Sequence, residues 1–311
     1  MSKAAFLEAS GAYSPGASIR NGERAWVLGE KISQGKFGAA FACRDDWGNP
    51  RVLQVLWPFS ASYDNVREKW PQQAAELRRA QHPDLVFLLD GFEREGCFHL
   101  VHERCDQRLD RLLDQETGSR VWDGGRWFKI VARPVLCALD HAHQHGYVHR
   151  NLHPRNVLSP LPFEQLQPES VFSGAVKLAD LAANTLLGKV DVLNMKLSRW
   201  LVPPEYLSPS ECGPMDHRMD IYQAGLLLLS VLRGHVHRYS FEDIATGQPA
   251  KDAQGLAAEA GPVLARALSL QVAERFASAL ELWRALNDAE PLAATAGGAL
   301  AQPSDLRTEF R

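Results

Sequence analysis

The sequence predicts an α+β protein with two lobes, a small antiparallel β lobe that carries one main helix and a larger α-helical lobe after it. Three observations lead to this prediction. Short β-like runs separated by turn residues fill residues 25–104. Apolar residues at helical spacing dominate the chain after residue 105. One tight polar loop, at residues 149–156, lies between a predicted helix and a short predicted strand.

The small lobe is predicted from strand-like runs and one helix. The runs lie at residues 25–28, 39–42, 52–56, 85–89 and 97–102. Turn residues at 45–50 separate the second run from the third, which predicts an antiparallel hairpin. Residues 63–80 have the composition of a helix, and Pro71 is expected to mark its start or a break in it.

The large lobe is predicted from helical segments, and both chain ends are predicted to be loose. The helices are expected at residues 107–114, 126–145, 216–233, 257–270 and 276–287. Residues 1–22 hold Gly11, Ser14, Pro15 and Gly16 and few large apolar groups, and 291–311 are rich in Ala, Gly and Pro, so a flexible N-terminal arm and a flexible C-terminal tail are expected. The domain then spans 23–290, with its lobes at about 23–104 and 105–290.

Composition excludes several classes of protein. The chain has 311 residues, 45% hydrophobic and 23% charged, which is ordinary for a globular domain. A net charge of −3 favours neither nucleic acid nor an anionic membrane as partner. No apolar run approaches the ~20 residues that span a bilayer, and the start lacks a signal-peptide core, so a cytoplasmic location is expected. Five scattered cysteines without CxxC spacing predict reduced thiols and argue against a structural zinc site.

The polar loop at residues 149–156 reads HRNLHPRN and resembles the catalytic loop of protein kinases, H-R-D, four residues, N. The resemblance implies that Asn156 is the metal-binding Asn. The Asp that accepts the substrate proton is replaced by Asn151, and the Lys that contacts phosphate by His153. An amide cannot take a proton, and losing a general base costs ~10²–10⁴-fold in rate.

Residues 33–38 (SQGKFG) resemble the Gly-rich loop of kinases, G-x-G-x-F-G, whose backbone N–H groups approach phosphates. The resemblance implies nucleotide-binding roles for Ser33, Gly35, Lys36 and Gly38. Two simpler explanations stay open: the glycines serve a hairpin turn, and Lys36 faces solvent instead of replacing a missing phosphate-binding Lys.

The strand at residues 51–56 (RVLQVL) aligns with the kinase motif V-A-I-K, and Gln54 stands where the Lys pairs the phosphates. The usual helix partner of that Lys is a Glu. Counting back from 82–86 (HPDLV), that position falls on Gln73, with Glu76 as the competing candidate. If Gln73 is correct, a neutral Gln–Gln hydrogen bond replaces an ion pair and leaves no unpaired charge.

Residues 100–105 (LVHERC) resemble the segment that links the kinase lobes. The resemblance implies that His102 lies at the back of the nucleotide pocket. It also implies that the backbone of Glu103 to Cys105 forms the hinge, so that Glu103 and Cys105 are nucleotide-binding candidates. Backbone groups there can bind an adenine whatever the side chains.

Residues 176–182 (VKLADLA) resemble the strand that ends in D-F-G. Asp180 retains the metal-binding carboxylate, and Ala182 replaces the Gly, which restricts the backbone. Asp180 and Asn156 together allow ATP with Mg²⁺ or Mn²⁺ to bind. The alternative is that Asp180 only caps local backbone and that the protein has no cofactor.

Other positions match the scaffold of the kinase fold. Residues 201–205 (LVPPE) resemble the end of the activation segment, and the resemblance implies that Glu205 pairs with Arg275 and that Asp220 anchors the catalytic loop. The structural positions are Gln73, His149, Arg150, Glu205, Asp220 and Arg275. Residues 274–280 (ERFASAL) resemble the closing helix signature of bacterial Ser/Thr kinases.

Three further features leave alternatives open. Histidines crowd the region of the loop, at His141, His143, His145, His149 and His153, but their i, i+2 spacing does not converge on a helix, so no metal cluster is expected there. Thr185 and Ser198 offer hydroxyl groups for phosphorylation that Arg150 would meet. Trp200 belongs to either the core or a partner surface.

The sequence therefore predicts a pseudokinase, a catalytically impaired or inactive kinase-like protein that acts as a regulatory scaffold for another protein. Gln54, Asn151 and His153 carry this prediction, because the scaffold positions survive while the chemical groups do not. The alternatives are a nucleotide-binding switch, and an atypical phosphoryl or nucleotidyl transferase that uses Asp180 with Asn156 or Lys36.

Overall fold

The computed structural model describes residues 13–35, 38–57, 63–115, 122–170, 172–188 and 201–289. The small lobe is a six-stranded antiparallel sheet with strand order β1-β2-β3-β4-β6-β5. Its strands are β1 (Ser18–Asn21), β2 (Arg24–Gln34), β3 (Gly38–Arg44), β4 (Pro50–Leu56), β5 (Leu88–Arg94) and β6 (Cys97–Glu103). The long helix α1 (Tyr63–Arg79) connects β4 to β5 and packs against β5.

The large lobe begins with a small sheet and is otherwise helical. The sheet has the order β7-β8-β9, with β7 (Gln107–Arg108), β8 (Val157–Ser159) and β9 (Lys177–Leu178). The helices are α2 (Leu109–Gln115), α3 (Gly124–Gln144), α4 (Leu181–Gly188), α5 (Pro204–Leu207), α6 (Pro209–Cys212), α7 (Arg218–Arg233), α8 (Phe241–Ala245), α9 (Gln248–Gln254), α10 (Ala260–Ala267) and α11 (Ala279–Ala289).

The core of the large lobe is built on α3 and α7. Asp123 caps α3 by accepting a hydrogen bond from the Arg126 backbone N–H, and α7 ends at Gly234, which has φ of 76°. The apolar residues of α3 recur at helical spacing and are almost all buried, as are those of α7. These two helices hold the loop at residues 149–156 between them and the small lobe.

Two apolar clusters build the small lobe, one on each face of its sheet. The outer cluster includes Trp26, Phe41 and Phe92, and the ring of Tyr13 stacks on Phe41. The inner cluster joins the sheet to α1. It also contains Ala182 and Ala183 of α4, so the first turn of α4 packs into the space between the sheet and α1.

Three expectations about the small lobe are wrong. Residues 18–21 of the expected arm form β1, because their backbone pairs with residues 24–27 of β2. Pro71 neither starts nor breaks α1; its exposed ring is tolerated because buried Trp70 and Ala74 hold the helix in place. The strand expected at residues 85–89 begins only at Leu88.

β5 starts late because the residues before it pair with a strand of the large lobe. Val86 N donates to Leu178 O (2.9 Å) and Leu178 N donates to Asp84 O (2.8 Å). The backbone just before β5 therefore pairs with β9 and not with the large sheet. The remaining predicted strands and helices are present, with ends shifted by up to three residues, except that β2 continues six residues past the predicted run, to Gln34.

Helix length and the two chain ends bear on the remaining expectations. The described residues include no helix that is both long enough and apolar enough to cross a bilayer. The expected C-terminal tail, 291–311, and residues 1–12 of the expected arm lie outside the described residues.

Candidate active site

Asp220, near the start of α7, holds the loop at residues 149–156. Its carboxylate accepts hydrogen bonds from the backbone N–H of His149 (2.7 Å) and of Arg150 (2.6 Å), and from Nε2 of His143 (2.8 Å). Burial alone would raise the pKa of this carboxyl, but these hydrogen bonds, first among them the one from His143, hold it below its usual value. The anchoring role implied by the resemblance is therefore present in the structure.

Gln223, one turn further along α7, is a second anchor that sequence reasoning missed. Its Oε1 accepts from Leu152 N (2.9 Å), while its Nε2 donates to Arg150 O and to Leu201 O (3.0 Å each). One buried amide thus ties the loop to the segment that leads into α5. The sequence offers no signal for this role, because nothing in the local pattern distinguishes a glutamine that binds backbone.

Glu205 and Arg275 form the predicted ion pair. Both side chains have 0% exposure, and the two guanidinium nitrogens lie 2.8 and 2.6 Å from the two carboxylate oxygens. The remaining donors of Arg275 bind the backbone carbonyls of Arg218 and Ser269. This fully satisfied pair connects α5 to the segment before α11.

A cleft of about 390 Å³ lies between the two lobes. It brings together most of the predicted site residues with neighbours from both lobes, among them Ser33, Gln54, Glu103, Cys105, His153, Asn156 and Asp180. Gly35 and Gly38 lie at the turn between β2 and β3 and do not line the cleft. Lys36, Ser198 and Trp200 lie outside the described residues.

Gly38 has a packing role. A Cβ atom at this position would lie 2.2 Å from the carbonyl oxygen of Val55, the neighbouring strand residue. At Gly35 the nearest atom would be 4.0 Å away, so that position has space for a side chain. The requirement for glycine at Gly38 therefore comes from the close approach of two strands, in keeping with the simpler explanation of a hairpin turn.

Gln54 on β4 contacts the carboxylate of Asp180 and not another glutamine. Its Nε2 lies 3.4 Å from Asp180 Oδ1. On α1, the Oε1 of Gln73 is buried without a hydrogen-bond partner among the described residues. Glu76 lies on the exposed face, where it accepts from Gln72 (2.9 Å). Gln73 is therefore the inward-facing position, but the expected Gln–Gln hydrogen bond is absent.

Helix α4 explains why the two glutamines do not meet. It starts directly after Asp180, whose O accepts from Asn184 N (2.8 Å). The helix contacts α1, and its small residues Ala182 and Ala183 are buried in the inner cluster together with Trp70 of α1. Alanine favours a helix where glycine would not, so the substitution at position 182 suits this helix.

Asp180 and Asn156 provide the oxygen atoms that a magnesium or manganese ion prefers. Asp180 has φ of 67°, a strained backbone that turns its side chain toward the cleft. Asn156 donates from Nδ2 to Asn151 O (3.0 Å), which leaves its Oδ1 as a ligand atom. Burial raises the pKa of Asp180. The residues therefore fit a divalent cation, which would stabilise the charged carboxylate.

The described part of the cleft lacks a free cation on its phosphate side. Burial lowers the pKa of His153 to about 4, so this ring is neutral at pH 7 and does not supply the charge of a lysine. Lys177 is buried and pairs with Glu103 (2.8 Å). At the cleft mouth, Arg108 and Arg155 both pair with Asp110.

His102 lies at the back of the cleft, as the resemblance implies. Neither of its ring nitrogens has a hydrogen-bond partner among the described residues, and burial lowers its pKa to about 4. Burial also raises the pKa of the Cys105 thiol to about 12. Cys105 is thus an unreactive thiol beside the hinge, and its neighbouring backbone stays the candidate for binding a base.

The protein kinase domain family matches residues 26–257, which is most of the chain. The chain belongs to the protein kinase family. The predicted family and the predicted α+β two-lobed fold are both confirmed. In the kinase fold, the cleft between the lobes corresponds to the nucleotide site, and Asn151 lies in the loop that resembles the catalytic loop.

Known kinases similar to this chain come from several groups of organisms. Cyclin-dependent kinase-like 4 of Mus musculus is 28% identical over 66% of this chain and 55% of its own length. Serine/threonine-protein kinase pkn3 of Myxococcus xanthus is 28% identical over 65% of this chain and 36% of its own. The chain thus spans only about half or a third of these kinases.

The kinase domain of Mycobacterium tuberculosis PknI has a similar structure. The TM-score is 0.64 at 22% sequence identity, covering 89% of this chain and 99% of that one. At this identity the likeness concerns the fold alone. The activity of the present kinase-family chain therefore rests on its own cleft residues.

Two features of the kinase cleft escaped sequence reasoning. Both are ion pairs between residues far apart along the chain, Lys177 with Glu103 and Arg155 with Asp110. The only available signal was that Lys177, Glu103 and Arg155 lie within motifs and that Asp110 follows one closely. Partners 74 positions apart, as Lys177 and Glu103 are, become visible only when the sheets have formed.

Proposed function

We propose that this chain is a pseudokinase, a catalytically impaired or inactive kinase-family protein that acts as a regulatory scaffold for a protein partner. The observation that carries this proposal is the contact between Gln54 and Asp180. Where a kinase places an ammonium group over the phosphates, this chain places a neutral amide 3.4 Å from the metal-binding carboxylate. An amide donates a hydrogen bond but does not offset phosphate charge.

The catalytic loop supports the same proposal. Asn151 stands at the position of the general base, and none of the described residues hydrogen-bonds its side chain. Its backbone is nevertheless held in place, because Asn151 N donates to His149 Nδ1 (3.3 Å) and Asn151 O accepts from Asn156. The loop thus retains its shape without a group that takes the substrate proton.

The test is a phosphoryl-transfer assay with radiolabelled ATP and a generic protein substrate. Incorporation is expected at the background level of an Asp180→Ala variant, with an active Ser/Thr kinase as the positive control. Transfer at the rate of that kinase, lost in Asp180→Ala, would contradict the proposal. A parallel assay with ATP labelled in the α-phosphate tests the atypical nucleotidyl transferase, which predicts AMP transfer that depends on Asp180.

A nucleotide-binding switch is the second candidate. The cleft favours it, because about 390 Å³ of space remains and Asp180 and Asn156 both line that space. ATP with Mg²⁺ or Mn²⁺ that binds the native state raises the midpoint of thermal unfolding. A rise that Asp180→Asn reduces supports the switch. No rise at millimolar nucleotide contradicts both the switch and the atypical transferase.

A groove on the small lobe suits an acidic protein segment as the partner. It encloses about 680 Å³ between the β3–β4 turn and the end of α1, and its lining includes Arg24, Arg51, Arg78 and Arg79. Arg78 and Arg79 are exposed and have no partner among the described residues. Trp47 on its rim is 90% exposed.

The two acidic residues of the groove are already engaged. Asp45 accepts from the backbone N–H of Trp47 (3.0 Å) and of Asn49 (2.8 Å), and Asp46 accepts from Ala25 N (3.0 Å). Arg51 pairs with Asp45 (3.0 Å), and the four arginines of the lining outnumber its two carboxylates, so the groove is positive, against the net charge of −3 of the chain. Arginine and tryptophan are also the side chains that dominate binding energy in protein interfaces.

A labelled oligoglutamate peptide probes this groove by fluorescence anisotropy. Binding is expected, and it should weaken in an Arg78→Glu/Arg79→Glu variant but not in Arg238→Glu, an exposed arginine of the other lobe. Equal affinity for both variants, or tighter binding of single-stranded DNA than of the peptide, would contradict an acidic protein partner.

A further inference from the structure

Three side chains of the kinds that ligate transition metals meet behind the cleft. His82 and Asp84 lie on the connection between α1 and β5, and Cys137 lies on α3. One ligand atom from each of the three residues lies within 4.8 Å of the others. The Nε2 of His82 and the Sγ of Cys137 are 3.7 Å apart. None of the three residues lines the nucleotide cleft.

Histidines on α3 extend this group. Cys137, His141 and His145 are spaced four residues apart, so they share one face of the helix. The ring centre of His141 is 4.9 Å from that of His82 and 4.3 Å from that of His145. Paired ligands at i and i+4 on a helix are a common way to hold zinc.

The His82 ring is held in place before any metal arrives. Its Nδ1 accepts a hydrogen bond from Asp84 N (3.1 Å), which directs Nε2 toward Cys137. Asp84 is itself buried at 4% exposure, and its Oδ1 accepts from Gly174 N (2.6 Å) and Ser173 Oγ (3.2 Å). Its Oδ2 faces His82 Nδ1 at 3.8 Å. The buried carboxylate of Asp84 is a fixed ligand, which lowers the cost of assembling a site, whereas the His82 ring must give up its bond from Asp84 N when Nε2 binds a metal.

The hydrogen bonds of Asp84 and of the Nδ1 of His82 are those of an ordinary turn, in which both side chains bind nearby backbone groups. Cys137 is an exposed thiol that faces the other nitrogen of His82, at a distance that a weak sulfur hydrogen bond also allows. Tetrahedral zinc with a Zn–S bond of ~2.3 Å and a Zn–N bond of ~2.0 Å separates sulfur and nitrogen by about 3.5 Å. The observed 3.7 Å is close to that separation.

We propose that Cys137, His82 and Asp84 form a binding site for Zn²⁺ or a metal of similar softness, with His141 or water as the fourth ligand. A thiolate with imidazole and carboxylate is a ligand set that zinc accepts. Binding releases the thiol proton to solvent and moves the ring proton of His82 from Nε2 to Nδ1, so the hydrogen bond that Asp84 N donates to Nδ1 in the metal-free protein is given up.

Zinc at this position would join the two lobes. His82 and Asp84 follow the main helix of the small lobe, whereas Cys137 belongs to the central helix of the large one. A metal bridge between them would limit the relative movement of the lobes and would raise the thermal midpoint of the native state. The site is independent of the cleft, so it stands or falls separately from the proposed function.

Cobalt(II) is the most direct probe. The full chain without a histidine tag is stripped with a chelator and titrated with Co²⁺, and a near-ultraviolet charge-transfer band from thiolate to cobalt is expected at one equivalent. Zn²⁺ should displace the cobalt and raise the thermal midpoint. Cys137→Ser, at an exposed position, should remove the band and weaken zinc binding at least ~10-fold.

Cys212→Ser is the matched control, since Cys212 is a partly exposed thiol elsewhere on the large lobe, and it should keep the band. His82→Gln should weaken zinc binding and keep the native circular dichroism spectrum. Absence of a thiolate band, or a band that survives Cys137→Ser, would overturn the proposal.

Discussion

At the scale of single residues, the ion pair of Glu205 and Arg275 shows how the scaffold is held. Both groups are removed from water, and every polar atom of the carboxylate meets a guanidinium nitrogen. Such a pair contributes little net energy compared with apolar residues of the same size. Breaking it by removing one partner is costly, because the remaining charge stays buried.

Replacing Arg275 with Leu should lower the free energy of unfolding by ~3–5 kcal/mol, because Glu205 would be left buried without its partner. Urea unfolding at neutral pH measures the change. Arg94→Ala is the control, since Arg94 pairs with Glu95 on the exposed surface. Its effect should stay within ~0.5 kcal/mol. Equal effects of the two substitutions would contradict the buried-pair argument.

Gln54→Lys tests whether the missing positive charge at the position of the phosphate-binding lysine limits nucleotide binding. The ammonium group would lie beside Asp180 and near the phosphates of a nucleotide in the cleft, where charge-assisted contacts are strong. Binding of ATP with Mg²⁺, measured by calorimetry, should tighten by about tenfold or more. Gln54→Met, which has similar size and no charge, should give no gain. A gain with Met as large as that with Lys would show that charge is not the limiting factor.

The sequence predicted which residues occupy the site but not all of their contacts. Asp220 and Arg275 were placed correctly because each belongs to a motif with a fixed role. The contact of Gln54 with Asp180 was not predicted, because it depends on where a neighbouring helix lies. Gln73 illustrates the same point, since its inward position was predicted and its lack of a partner was not.

At the scale of elements, the two glycines beside the turn between β2 and β3 differ in the space that a side chain would have. The close approach of β3 to β4 at Gly38 leaves no room for a Cβ atom. Gly38→Ala should destabilise the domain by ~1–3 kcal/mol, because the strands would have to separate. Gly35→Ala has space and should cost less than half as much. Thermal and urea unfolding of the two variants compare them directly, and a larger loss in Gly35→Ala would contradict this explanation.

Elements whose patterns are local were predicted well, and those that depend on distant partners were not. The buried stripe of α3 repeats along a single helix, so its position was visible in the sequence. By contrast, residues 84–86 read as a strand of the large sheet but pair with β9. Helix α4 was not predicted, because it is short and packs on α1, which lies far back in the chain.

At the scale of the whole molecule, buried neutral histidines couple stability to pH. Burial lowers the pKa of His99 and of His102 from 6.5 to about 4, and it also lowers the pKa of His149. The unfolded chain therefore takes up protons first as the pH falls. Their contribution to stability is complete above about pH 6.5 and is lost progressively toward pH 4. Asp180 acts in the opposite direction, because burial raises its pKa.

The free energy of unfolding should therefore fall as the pH decreases from 6.5 to 4, as measured by urea unfolding at a series of pH values. His102→Phe should make this decrease shallower by up to ~1.4 kcal/mol per pH unit, because one proton is no longer taken up on unfolding. His235→Gln, at an exposed position, is the control for the loss of a histidine. An unchanged slope in His102→Phe would contradict a neutral buried His102.

The strand β1 also affects how readily the molecule aggregates. It covers the edge of the large sheet by pairing with residues 24–27 of β2. Without it, unpaired N–H and C=O groups of β2 would be open to strands of other molecules, which is a route to aggregation. The region that matches the protein kinase domain begins only at residue 26, so a fragment cut to that boundary would lose this cover.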